Sequence, residues 1–403
     1  MEWEHILASR SQRMRASEIR ELLKLLDQPD IISFAGGIPD PALFPAEAFQ
    51  NAFASILSPE RQEQALQYSV SEGYLPLRSW IAGQMQQLGI ACSVDNILIT
   101  SGSQQALDYL GKLFLSPRDT ALVTWPTYLG ALGAFNAYEP EYDRLLANSN
   151  RLPDDYQAVA CAKGGAVKFA YCSADFANPT GETLDLAARN DILNLAEDLD
   201  IAIIEDAAYQ SLRYDGEAVA PILALDVARN GSIEACRTIY CGSFSKTLAP
   251  GLRVGWVCAA QPVISKLVLI KQSSDLHTPT LNQMAIADVA SACFSSQVDK
   301  VRAVYRPRRD RMLQALASHM PDTVQWTRPE GGMFIWLTLP GHLNGGDLLA
   351  RAVRSQKLAF VPGQAFFADG SGANSLRLNF TRMDEATIDE GIRRLGIVLK
   401  EAV

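Results

Sequence analysis

The sequence predicts an α/β fold: a large domain built on a mainly parallel sheet between helices, a smaller α+β domain, and an N-terminal helical arm. Three observations carry this. From about residue 95 to 260, apolar runs that read as buried strands alternate with helical patterns. After about 280 one long helical stretch gives way to short strands and further helices. The first 30 residues form a basic, helical-looking segment of their own.

Composition bounds the function classes. At 403 residues the chain suggests two to three structural units. Apolar residues are 48% and charged residues 20%, which fits a large core. A formal net charge of −9 argues against a nucleic-acid surface. Seven cysteines, an odd count without a Cys-x-x-Cys pair, read as reduced core thiols of a cytoplasmic protein. No signal peptide is evident at Met1–His5, and no apolar stretch is long enough to span a bilayer.

Taken in order, the arm carries Arg10, Arg13, Arg15 and Arg20 beside an apolar side that includes Leu22, Leu23 and Leu26, and Pro29 ends it. It is either a surface helix with a solvated face or an arm that brings an arginine into a site. Ile31-Ile32-Ser33 then reads as a short strand running into the Gly36-Gly37 turn. Strands are expected at 97–100, 121–124, 167–172, 201–205, 238–241 and 254–258, with helices at 104–115 and 186–198 among them. A long helix is expected over 281–317, then the short segments 331–337, 360–363 and 376–380, with helices at 346–355 and 385–400. Domain boundaries follow: 1–30 arm, 51–281 large domain, and 31–50 with 282–403 small domain.

In parallel sheets ligands bind at the carboxyl ends of the strands, so the residues after each strand matter most. Ser101-Gly102-Ser103-Gln104-Gln105 opens a helix, and a helix N-terminus suits a phosphate, although an ordinary serine cap explains it equally. Neither Gly-x-Gly-x-x-Gly nor Gly-x4-Gly-Lys-Ser/Thr occurs, which weighs against dinucleotides and P-loop nucleotides. Trp125-Pro126-Thr127-Tyr128 offers a ring for stacking or simply a core tyrosine. Asn178-Pro179-Thr180-Gly181 is a turn whose amide can reach a phenolic oxygen. Asp206 ends a buried strand, where a carboxylate needs a cation such as a pyridinium nitrogen, and Tyr209 lies close behind. Finally, Gly242 to Trp256 sets two hydroxyls (Ser243, Ser245), Lys246 and Arg253 between two apolar runs. Hydroxyls and a guanidinium can hold a phosphate, and a lysine beside them can attack an aldehyde on the same molecule. A phosphate-bearing aldehyde means pyridoxal 5′-phosphate; by itself, the segment also reads as a solvated turn. Four scattered histidines offer no metal pair, and no Gly-x-Ser-x-Gly elbow is present.

The order of these segments resembles the fold type I pyridoxal-phosphate enzymes of aminotransferase class I and II, nearest the bacterial 2-aminoadipate and kynurenine/aminoadipate aminotransferases. The resemblance runs from Ile19-Arg20-Glu21-Leu22 to the last helix. It includes Phe34-Ala35-Gly36-Gly37, Gln67-Tyr68-Ser69, Ser101 to Asp108, Asn178 to Gly181, Gly242-Ser243-Phe244-Ser245-Lys246, Gly331-Gly332-Met333-Phe334 and Leu376-Arg377-Leu378. It implies a seven-stranded sheet and the cofactor pyridoxal 5′-phosphate. Lys246 would be the Schiff-base lysine and proton carrier, and Asp206 would hold the ring nitrogen protonated. Asn178 and Tyr209 would bond the ring oxygen and Tyr128 stack on the ring. Ser103, Gln104, Ser243, Ser245 and Arg253 would take the phosphate, with Tyr68 reaching that of a partner subunit in a homodimer. Arg377, with Asn178 and Gly37, would meet the substrate α-carboxylate, and Arg20 a side-chain carboxylate.

The implied reaction moves an amino group from a 2-aminoadipate-like, glutamate-like or broader set of α-amino acids to a 2-oxo acid. Departures from relatives at Val70, Thr124, Ala174, Ala177 and Ala207 leave open the same fold with elimination, replacement or cyclisation chemistry. A ligand-sensing regulator is disfavoured, because only about 30 residues precede Phe34. No nucleic-acid or membrane partner is expected.

Overall fold

The computed structural model describes residues 3–14, 30–146 and 148–402. Most of the arm expected over 1–30, Arg20 included, lies outside them.

After β1 (Ile32–Ser33), seven strands build the central sheet: β2 (Ile97–Thr100), β3 (Thr120–Thr124), β4 (Glu141–Leu145), β5 (Val167–Cys172), β6 (Ala202–Asp206), β7 (Thr238–Ser243) and β8 (Gly255–Cys258). Their order is β2-β8-β7-β6-β5-β3-β4. The pairs from β4 through β7 are parallel, and β8 runs antiparallel to both β7 and β2. The reversal has a local cause. Residues 244–254 contain no crossover helix, only the short turn Pro250–Leu252, so the chain re-enters the sheet on the edge it left. That loop therefore stays on the edge where β2, β3, β5, β6 and β7 all end, facing the helix Ser103–Phe114 across the Thr100↔Gly255 pair.

The expected strands 97–100 and 167–172 and helices 186–198 and 385–400 are found end to end, and the others within two residues, save that the run from Gly331 becomes a strand only at Phe334. Sequence reasoning missed β4. It is an edge strand reading Glu-Tyr-Asp-Arg-Leu, with only Leu145 buried, so it lacks the apolar run that marks its neighbours. The long helix, Thr280–His319, is broken at Cys293 (φ −148°, ψ 16°), whose thiol donates to the Val289 carbonyl one turn back.

Past that helix come β9 (Gln325–Trp326), β10 (Phe334–Thr338), β11 (Leu358–Ala359), β12 (Val361–Pro362) and β13 (Ser375–Asn379). β12-β13-β10-β9 form an antiparallel sheet, and β1 pairs in parallel with β11. One apolar cluster unites Phe34 and Leu43 with Val301, Met312, Leu376 and Ile392; another unites Phe49 and Ile56 with Ile97, Phe244 and residues 284–290. The two cores thus exchange chain between Leu43 and Phe49 and between Ala290 and Val301.

The segment 173–185, which carries Asn178, is fastened from below. Arg189 in the helix Leu186–Asp198 is fully buried. It donates to the carbonyls of Leu184 (2.9 Å), Ala174 (3.1 Å) and Ala220 (3.0 Å) and to Asp175 Oδ1 (2.9 Å). Breaking a buried pair from one side costs roughly 3–5 kcal/mol, because the partners are stranded. Arg189→Met is therefore expected to lower the thermal unfolding midpoint markedly. Arg189→Lys should recover only part, since an ammonium cannot span four acceptors in one plane; a midpoint unchanged in Arg189→Met would remove Arg189 from this role.

Candidate active site

The strand ends deliver a connected set of polar groups. After β2, Gly102 has φ 80° and precedes the helix Ser103–Phe114. A Cβ there would lie 2.3 Å from Arg253 Nη2, so glycine is what lets the guanidinium reach the helix N-terminus. Arg253 itself is left-handed (φ 52°, ψ 54°), uncommon for a residue with a side chain. Its Nη1 lies 3.5 Å from Ser245 Oγ. Ser243 Oγ accepts the Ser245 N–H (3.1 Å) and donates to Ser245 Oγ (2.9 Å). First-turn N–H groups, two hydroxyls and a guanidinium make an anion cradle.

Beside the cradle, Gln104 donates to the Gly130 carbonyl (2.7 Å) and lies 3.5 Å from the Tyr128 hydroxyl, tethering the loop that holds Tyr128. Asp206 is buried at the end of β6. One carboxylate oxygen accepts the Tyr171 hydroxyl (2.9 Å), while Oδ1 is buried with no partner among the described residues. Burial pushes this carboxyl up to about 6, opposed by the Tyr171 bond and the Lys246 charge.

Lys246 donates to the Gly37 carbonyl at 3.0 Å. Burial, then the charges of Arg377 and Arg253, push its amine down to about 8, with Asp206 opposing. Arg377 is 1% exposed. It donates to Asn178 Oδ1 (2.8 Å) and the Ala35 carbonyl (3.0 Å), and its guanidinium sits 4.2 Å from the Phe334 ring centroid and 5.0 Å from that of Phe366. Its Nε is buried with no described partner. Burial lowers it to about 10, so it stays charged at neutral pH. Asn178 also donates to the Tyr209 hydroxyl (3.3 Å), whose phenol burial pushes up.

The structure thus brings together Gly37, Ser103, Gln104, Tyr128, Asn178, Asp206, Tyr209, Ser243, Ser245, Lys246, Arg253 and Arg377. Tyr68 stands apart: it is 80% exposed, its ring edge-on to His277 at 6.1 Å, and it forms no hydrogen bond through its hydroxyl with the described residues. Arg20 lies outside the described residues. Sequence reasoning missed Tyr171, Phe334 and Phe366 as site residues. A signal existed for Tyr171, since a phenol inside a largely apolar, buried strand must find a partner.

These donors fit pyridoxal 5′-phosphate. The unpartnered Asp206 oxygen suits a protonated ring nitrogen, the cradle suits a phosphate, and a depressed lysine lies within the same group. A family model for aminotransferase class I and II matches residues 30–395. The aromatic-amino-acid aminotransferase 1 of Thermococcus litoralis is 43% identical over 408 residues, covering 100% of this chain and 95% of that one. The 2-aminoadipate transaminase of Thermus thermophilus is 43% identical over 400 residues, covering 99% and 98%. The crystal structure of the Thermus thermophilus α-aminoadipate aminotransferase LysN, complexed with N-(5′-phosphopyridoxyl)-L-leucine, superposes with TM-score 0.88 at 40% identity, covering 100% and 99%.

An amine near 8 is about 10% neutral at pH 7, whereas an ordinary lysine near 10.4 is below ~0.1%. In cofactor-free protein, borohydride trapping of an aldehyde on Lys246 should therefore rise with pH to a midpoint near 8 and then level. A rise continuing to the ordinary lysine range would contradict the depressed amine.

Proposed function

The chain belongs to the class I and II aminotransferases, and from that premise we propose which substrates it admits and how its own residues serve the reaction. It is a pyridoxal-phosphate-dependent transferase that moves an amino group from an α-amino acid to a 2-oxo acid. When bound, the cofactor supplies the aldehyde that exchanges the amino group and a ring that withdraws electrons from the substrate Cα.

The observation that carries the residue roles is the buried, half-partnered trio of Asp206, Lys246 and Arg377. Arg377, its plane fixed between two phenyl rings and by Asn178, orients the substrate α-carboxylate, with Gly37 leaving room beside it. Lys246 is the amine that would hold the cofactor through its aldehyde, and as a base with a depressed pKa it would move the proton at Cα near neutrality. Asp206, steadied by Tyr171, keeps the ring nitrogen protonated. Asn178 and Tyr209 bond the ring oxygen, and Tyr128 covers the ring. Ser103, Gln104, Ser243, Ser245 and Arg253 bind the phosphate.

For substrate, the proposal is a broad range that includes 2-aminoadipate and glutamate. The two relatives at 43% identity are named for aromatic amino acids and for 2-aminoadipate, and the LysN complex holds a leucine adduct. Arg20 is proposed to receive the acidic side chain. A homodimer is proposed as well. The single chain leaves Leu66, Tyr68, Val70 and Leu75 exposed at 68, 80, 58 and 56%, a run of apolar surface suited to a partner, with Tyr68 completing the partner's phosphate site. A cytoplasmic location is supported by seven unpaired thiols.

Two experiments test this. Cofactor-loaded protein mixed with single amino acids and no oxo acid should form one equivalent of oxo acid and pyridoxamine phosphate; release of a side-chain fragment with the cofactor unchanged would instead indicate elimination. In the same panel Arg20→Ala should lower kcat/KM for 2-aminoadipate and glutamate by roughly 10–150-fold while sparing leucine and phenylalanine, and an equal loss for all would remove Arg20 from side-chain recognition. Sedimentation should give a dimer in which Tyr68→Ala weakens cofactor retention; a monomer of full activity would sink the shared site.

A further inference from the structure

Behind the anion cradle lies a second charge cluster, built on a buried lysine and an exposed aspartate. Lys271, in the helix Gln261–Gln272, has a side chain 0% exposed. Its ammonium donates to Gln105 Oε1 (2.9 Å) and to both Asp275 oxygens (2.9 and 3.0 Å). Gln105 Oε1 in turn accepts the Ser101 N–H (2.8 Å), and its amide nitrogen donates to Asp275 Oδ2 (2.7 Å). The Ser101 hydroxyl also donates to Asp275 Oδ2 (3.2 Å). Four of these bonds involve Ser101 or Gln105, on either side of Gly102 at the helix N-terminus; the other two tie Lys271 to Asp275.

Three partners fix the direction of the Gln105 amide: Lys271 and the Ser101 N–H on its oxygen, and Asp275 on its nitrogen. An amide side chain can present oxygen or nitrogen from nearly the same shape. With Lys271 donating, the oxygen must face it, and the same oxygen then accepts from Ser101. Without that ammonium the oxygen loses one of its two donors and Asp275 loses its buried cation, so the amide and the turn bonded to it are held less tightly. Lys271 is balanced by Asp275, so the pair adds little net charge to the cradle; its effect is geometric.

We propose that Lys271 is a positioning residue for the phosphate: acting through Gln105 and Asp275, it holds the Ser101-Gly102-Ser103 turn so that the helix N-terminus and Arg253 meet one anion. The proposal rests on the phosphate roles assigned above. Burial lowers the lysine, and the hydrogen bond and charge of Asp275 oppose that.

The test compares dissociation constants for pyridoxal 5′-phosphate and for phosphate-free pyridoxal in the parent, Lys271→Met and Gln105→Leu. The parent should favour the phosphorylated ligand strongly. Both variants should lose roughly 10–100-fold for pyridoxal 5′-phosphate, by analogy with the range found for groups that orient metal ligands from behind. Affinity for pyridoxal should be unchanged, so the ratio collapses, and Lys271→Arg should restore part of it. A ratio kept in both variants overturns the inference. A parent with no preference overturns the phosphate roles themselves. Gln105→Leu leaves the ion pair intact, so it decides the matter if Lys271→Met fails to fold.

Discussion

Three charges sit at one end of a parallel sheet, out of water and not satisfied by one another: Asp206, Lys246 and Arg377. Desolvation of that kind destabilises the fold unless other groups offset it. The surrounding structure reads as the response. Tyr171 satisfies half of Asp206, Gly37 accepts from Lys246, and Arg377 lies between Phe334 and Phe366 with Asn178 and Ala35 as acceptors. What is left over, one carboxylate oxygen and one guanidine N–H, is the capacity a ligand would use.

Rigidity of the framework follows from the same need. Asn178 touches both Arg377 and Tyr209, so a small shift of its turn would disturb two groups at once. The buried guanidinium of Arg189 fixes that turn to the helix beneath it. Gly331 and Gly332 allow Phe176 to pack directly on the backbone before β10, where added Cβ atoms would approach its ring and Cβ within 2.5 Å. The small sheet, which supplies Arg377 and Phe334, is thereby keyed to the loops of the central one.

Much of this was legible in the chain. Mostly apolar runs such as 97–100 and 167–172 marked their strands, and the residues after them gave most of the candidate site. The polar edge strand β4 was illegible because burial, not propensity, makes a strand readable. Partnerships across distance were equally hidden: Tyr171 meets Asp206 and Lys271 meets Gln105 only after the sheet and its helices assemble. The break at Cys293 left no trace in a helical pattern that continues on both sides.

The antiparallel return of β8 also dictates when the sheet can be completed. Among the described residues β2 pairs with β8 and no other strand, its Ile97 against Cys258. At ribosomal rates of about 5–20 residues per second, roughly 10–30 s separate the synthesis of these two strands. For that interval the Ile-Leu-Ile-Thr segment has no native partner in the nascent chain, and its backbone edges stay open while the five strands between are made. The strand whose end leads into the cradle is thus the first of the sheet to be translated and among the last to be paired.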